Sequence, residues 1–151
     1  MELEALLREA ESEILEEAYA ALHRTGTTHY AAAGEEFTRQ RIAELFAIVV
    51  ASIRTRDLAE MSRYAEHIAT ERFEHGFDIS EVQAAFNGLE QAMWHRVVAA
   101  TPPDDLAEAT GLLSTVLGFG KDALARTYVS LASHRHVPTL DMSALFAGTD
   151  C

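Results

Sequence analysis

Apolar residues recur along this chain at three- and four-residue spacing, the signature of helices with one buried face. Leu3, Leu7, Ala10, Ile14, Ala18 and Ala21 form one stripe with glutamates crowding the other face, which predicts a first helix over residues 2–24. Thr25-Gly26-Thr27-Thr28 interrupts it. Residues 29–34, with Ala31-Ala32-Ala33, read either as a turn of helix or as a connector. The cleanest period, Ile42, Leu45, Phe46, Val49, Val50 and Ile53, predicts a second helix over residues 35–55. Asp57 with Glu60 fits a capping box and opens a third helix, which turns Leu58, Met61, Ala65, Ile68 and Phe73 inward. A fourth helix begins at Ile79 and buries Ile79, Val82, Phe86, Leu89, Met93 and Val97. Thr101-Pro102-Pro103-Asp104 ends it and starts a fifth, which runs to about Ser133. Threonine caps well there, and proline is tolerated in a first turn, where no amide partner is needed.

The joint between the third and fourth helices carries the densest local information. Gly76 closes one helix, because glycine takes the left-handed angle of a helix C-terminus without steric cost. Asp78 caps the next, Glu81 is its reciprocal partner, and Phe77 and Val82 occupy the two staple positions. No segment alternates convincingly as a strand. The expected fold is all-α: five main helices in a globin-like or orthogonal helical bundle, with an up-down bundle as the other arrangement. It forms one domain over residues 1–135, followed by a short C-terminal tail over residues 136–151.

Small residues recur on the fifth helix. Gly111, Gly118, Ala125 and Ala132 stand seven apart, flanked by Leu113, Val116, Leu117, Leu124 and Leu131. Glycine within a helix costs about 1 kcal/mol relative to alanine, so this seam implies close approach of another backbone. Two readings remain open: packing on the first or second helix of the same chain, or a homodimer through the fifth helix, alone or with the fourth. Gly118-Phe119-Gly120 is also a candidate kink.

Composition narrows the function. The chain is 48% hydrophobic, too apolar for a disordered protein. Its formal net charge of -12 argues against nucleic acid and against anionic membranes as partners. No apolar run approaches a membrane span, and the acidic N-terminus is wrong for a secretory signal. A single cysteine, Cys151, allows no internal disulfide, which points to a reducing cytoplasm.

Seven histidines invite metal and haem readings. His67, Glu71 and His75 stand four apart along the third helix and so share a face, as a metal site requires. The bland reading makes them solvent-exposed side chains, and the same holds for His134 and His136. A carboxylate di-iron bundle needs paired Glu-x-x-His motifs, and the chain contains none. For haem or an apolar ligand between helices, His95 beside Trp94 is the best candidate. The alternative is that Trp94 caps the edge of the core. A recognition helix after Gly76 would carry Glu81 and Glu90 and no basic residue, so phosphate would repel it. No nucleophile elbow, phosphate loop or dinucleotide fingerprint is present, so the expectation is a non-enzyme without a cofactor. In the tail, Leu140, Leu145 and Phe146 are three apolar anchors, suited to docking on the chain's own domain or on a partner.

Residues 69–86 followed by Trp94, and residues 111–133 with Lys121-Asp122-Ala123-Leu124-Ala125-Arg126-Thr127-Tyr128, resemble the helical sensor domains at the N-terminus of RsbR-type stressosome proteins and related bacterial kinases. The resemblance spans roughly residues 42–133. It implies a globin-like fold without haem, a homodimer, and a role in bacterial signal transduction through a protein partner. It carries no ligand residues with it. RsbR-type proteins continue into a phosphorylatable STAS domain, whereas this run is followed by the short tail. The expectation is therefore a stand-alone sensor or adaptor in place of a direct RsbT antagonist.

Overall fold

The computed structural model describes residues 2–133, and all its regular structure is helical. There are seven helices where the periodicity predicts five: α1 Leu3–Glu9, α2 Glu11–Arg24, α3 Thr28–Ala33, α4 Glu35–Thr55, α5 Ala59–Glu74, α6 Ile79–Ala100 and α7 Pro103–Ser133. Two events account for the difference. The first predicted helix is broken at Ala10, whose backbone sits at φ -95° and ψ 8°. Leu6 and Leu7 before the break, and Ile14, Ala18 and Leu22 after it, all reach the core. No proline or glycine marks that break, so packing and not local propensity sets it. The undecided segment is α3, one helical stretch bounded by Gly26 at φ 68° and Gly34 at φ 101°. It is anchored by buried Tyr30, while Ala31, Ala32 and Ala33 face out.

The predicted stripe of α4 is buried at every position. Its end is a left-handed Arg56 whose amide donates to the Ser52 carbonyl at 2.9 Å. The capping box expected for α5 does not close. Asp57 Oδ1 accepts from the Ala59 amide at 2.9 Å, but the Asp57 amide donates to Thr55 Oγ1 at 3.3 Å, not to Glu60. Phe73 also departs from its expected place, being 36% exposed.

The principal pairings are α5 with α7, α2 with α6, and α6 with α7. The α6–α7 pair runs antiparallel, tied by Lys121 Nζ to Glu90 Oε1 at 2.6 Å. The helix α7 continues through Gly118-Phe119-Gly120 without a break. Gly120 faces inward. A Cβ there would lie 2.8 Å from Met61 Sδ and 3.0 Å from Phe86 Cε2, so side chains of α5 and α6 close directly on α7 at this residue. Leu113, Leu117 and Leu124 share its face and are fully buried. The tail anchors Leu140, Leu145 and Phe146, with His134 and His136, lie outside the described residues.

Candidate functional site

Two places combine structural definition with features that packing alone does not require: the α5–α6 corner and the outer face of α6 and α7. At the corner, Gly76 has φ 81° and its amide donates to the Phe73 carbonyl at 3.1 Å. The Phe77 amide donates to the Arg72 carbonyl at 2.9 Å. These two bonds are a Schellman closure. The capping box of α6 then forms as the sequence predicts: Asp78 Oδ1 accepts from the Ser80 amide at 2.8 Å, and Glu81 Oε2 accepts from the Asp78 amide at 2.9 Å.

Glu81 does more than cap. Its Oε1 accepts from the His29 amide at 2.9 Å, and its Oε2 meets the His29 ring at Nδ1, 2.7 Å away. Burial pushes the Glu81 carboxyl up, but the amide bonds from His29 and Asp78 and the His29 ring outweigh it and hold the group below its ordinary value. The Ser80 amide and hydroxyl likewise lower Asp78. Phe77 packs against His29 and Tyr30, with ring centroids 5.1 and 4.9 Å away, and its carbonyl accepts from Tyr128 Oη at 3.2 Å. One corner thus joins α3, α5, α6 and the last turns of α7. Nothing local in the sequence marks His29 or Tyr128 as its partners.

The α6–α7 face is open. Among the described residues an added Cβ at Gly111 or Gly118 meets nothing within 4 Å, and Ala132 is exposed with Ala125 half-buried. The seam therefore does not pack on the first or second predicted helix of its own chain, which corrects that reading. Leu113, grouped with the seam by proximity, lies in the core on the opposite side of α7. On α6, Trp94 and Val98 are 41% and 48% exposed. Trp94 lies one turn beyond Glu90, and Gly118 lies three residues before Lys121. In the antiparallel pair both fall on the same side of the Lys121–Glu90 contact. Trp94 and His95, with Asn87, Glu90 and Gln91, line a shallow depression of about 340 Å³.

The family model for the RsbT co-antagonist protein rsbRD N-terminal domain matches residues 4–136. The chain belongs to that family. No curated protein and no solved structure matches it. The match extends the resemblance, which began near residue 42, back through α1, α2 and α3. An RsbRD N-terminal domain is a signalling domain whose family name describes action with a protein, RsbT.

The remaining candidates of this RsbRD N-terminal domain lie at the surface. His67 Nε2 is 3.7 Å from Glu71 Oε2, but His75 turns away, its Nδ1 lying 2.7 Å from the Glu71 backbone oxygen. The three side chains do not converge, and among the described residues no group of three His, Cys, Asp or Glu could hold a metal ion. His95 faces outward and meets Glu17 of α2 at 2.8 Å through Nδ1, so its ring does not look into the bundle. No helix of the described residues is long and apolar enough to cross a membrane.

Proposed function

We propose that this RsbRD N-terminal domain is a non-catalytic bacterial signalling sensor or adaptor that works as a homodimer through the outer face of α6 and α7. The observation that carries the reading is the pairing of exposed Trp94 and Val98 with glycines whose surroundings are open. Glycine in a helix interior is unfavourable, and among the described residues nothing uses the room that Gly111 and Gly118 leave. A second copy laid across the face fills it, with Gly111, Gly118, Ala125 and Ala132 admitting the approaching helix and Trp94 supplying an aromatic anchor. Protein contact suits a domain whose family name refers to a protein target. The lone cysteine suits a reducing cytoplasm. The corner gives a signal a route, because it fastens the last turns of α7 to α3 and α6 through Tyr128, Phe77 and Glu81.

The test is the solution mass of the full chain by light scattering, for the parent and for Gly118→Leu. A dimer in the parent that becomes a monomer in the variant, with the helical spectrum retained, is the expected result. A monomer at all concentrations in the parent would overturn the homodimer.

A further inference from the structure

A cavity of about 330 Å³ lies between the last turns of α2 and the α3–α4 turn, away from the α6–α7 face. Leu22, Tyr30 and Thr38 line its buried side. Tyr19 and His23 of α2 stand on one flank, and Ala31 of α3 stands at its exposed mouth. Small-molecule sites have this size and this make-up, mostly apolar with a few polar groups.

The polar groups of the lining are unequally occupied. The Thr38 hydroxyl donates to the Gly34 carbonyl at 2.9 Å, and Glu35 accepts from Arg39 Nε at 2.9 Å. The His23 ring stacks on Tyr19 with centroids 5.9 Å apart and makes no hydrogen bond among the described residues. A charged ligand would lose its hydration and find no unpaired carboxylate in the lining to compensate it. A neutral ring with one donor finds apolar surface and an unspent imidazole.

The same cavity adjoins the corner. Tyr30 meets the Phe77 ring edge-on at 4.9 Å, and the Phe77 carbonyl accepts from Tyr128 Oη of α7 at 3.2 Å. His29, the neighbour of Tyr30, is bonded twice by Glu81. The helix α3 thus stands between the cavity and the corner, bounded by two glycines in left-handed conformation, Gly26 and Gly34.

We propose that the α2–α3 cavity binds a neutral aromatic molecule of one or two fused rings carrying one N–H, which donates to the His23 imidazole, and that its occupancy is relayed through Tyr30 to Phe77 and α7. The idea deepens the sensor reading and rests on it for its biological use. Its test reads binding and leaves oligomeric state aside, so either can fail without the other.

The experiment is titration of the isotopically labelled full chain with indole and with benzofuran, an isostere without the N–H, followed by amide NMR shifts. Indole saturates shifts in the last turn of α2 and in α3, and moves the amides of Phe77 and Glu81 along the same isotherm. Benzofuran binds about fivefold more weakly, for want of one hydrogen bond. His23→Phe, at an exposed position, keeps a ring and removes that difference. Ala31→Leu, also exposed, narrows the mouth and abolishes saturable binding with the helical spectrum retained. Absence of saturable indole binding would overturn the proposal. So would shifts confined to other helices, equal affinity for benzofuran, or binding unchanged in a folded Ala31→Leu. Binding without movement at Phe77 or Glu81 would overturn the relay.

Discussion

Glu81 holds His29 by two bonds at once, to the backbone amide at 2.9 Å and to the ring at 2.7 Å, across a separation of 52 residues. The same carboxylate closes the capping box of α6. Replacing it with alanine strands two amide donors, those of His29 and Asp78, and removes the reciprocal half of the cap. The expected cost at neutral pH is about 2–3 kcal/mol, measured by urea unfolding.

That stabilisation depends on pH in a fixed direction. The folded-state pKa of Glu81 is held below its ordinary value of 4.5, so the unfolded chain takes up the proton first. The contribution is complete above about 4.5 and disappears as pH falls through the lower folded value. Unfolding curves of the parent and Glu81→Ala should therefore differ at pH 7 and converge towards pH 3. A gap that stays constant across this range would show that the carboxylate's charge is not the source of the effect.

The parts of this arrangement that are local were legible, and those that are tertiary were not. The Schellman turn at Gly76 and the box from Asp78 to Glu81 use residues within one turn of each other. The apolar stripe of α4 is complete because a single face is buried along its whole length. Asp57 and Glu60 have the same spacing as Asp78 and Glu81, yet Thr55 takes the amide that Glu60 was expected to receive. The break at Ala10 and the identity of His29 as a partner depend on elements distant in sequence. On α7 the seven-residue recurrence of Gly111 and Gly118 identified a common face but could not say which face. Phase could have told them apart, since Gly120 falls in register with Leu113, Leu117, Leu124 and Tyr128, the buried side of the helix.

The two glycines flanking Phe119 should therefore respond oppositely to alanine. At Gly118 the new methyl group meets nothing within 4 Å among the described residues, so the gain in helix propensity stabilises the monomer by about 0.5–1 kcal/mol. At Gly120 it would lie 2.8 Å from Met61 Sδ and 3.0 Å from Phe86 Cε2. The thioether can yield, but the phenyl ring is fully packed, so overpacking of about 1–3 kcal/mol outweighs the propensity gain. Thermal melts of the two single variants at low protein concentration compare them directly. Destabilisation by Gly118→Ala under those conditions would contradict the open face.

The histidine row on α5 should be dispensable to the fold. His67 is 75% exposed at its side chain, and His75 satisfies only the Glu71 carbonyl at the end of its own helix. Single alanine substitutions at either position should move stability by no more than about 0.5 kcal/mol. Zinc added to the parent should leave its melting temperature where it was. A stoichiometric zinc-dependent rise that both substitutions abolish would require the three side chains to converge, which their present geometry does not provide.

Trp94 offers a direct optical reading of the α6–α7 face, because it is the only tryptophan in the chain and stands 41% exposed in the isolated domain. In a monomer its indole samples water and emits accordingly. A second copy laid across Gly118 and Val98 removes it from water, and burying aromatic surface of this size contributes about 2 kcal/mol to association. Emission should therefore shift to the red on dilution, over the concentration range in which the mass falls from dimer to monomer. Val98→Glu, which places a charge beside the indole in an already acidic protein, should hold the red-shifted spectrum at every concentration while leaving the far-ultraviolet spectrum unchanged. If the mass halves on dilution without any change in Trp94 emission, the dimer forms elsewhere, and the glycine face of α7 is free for a different partner.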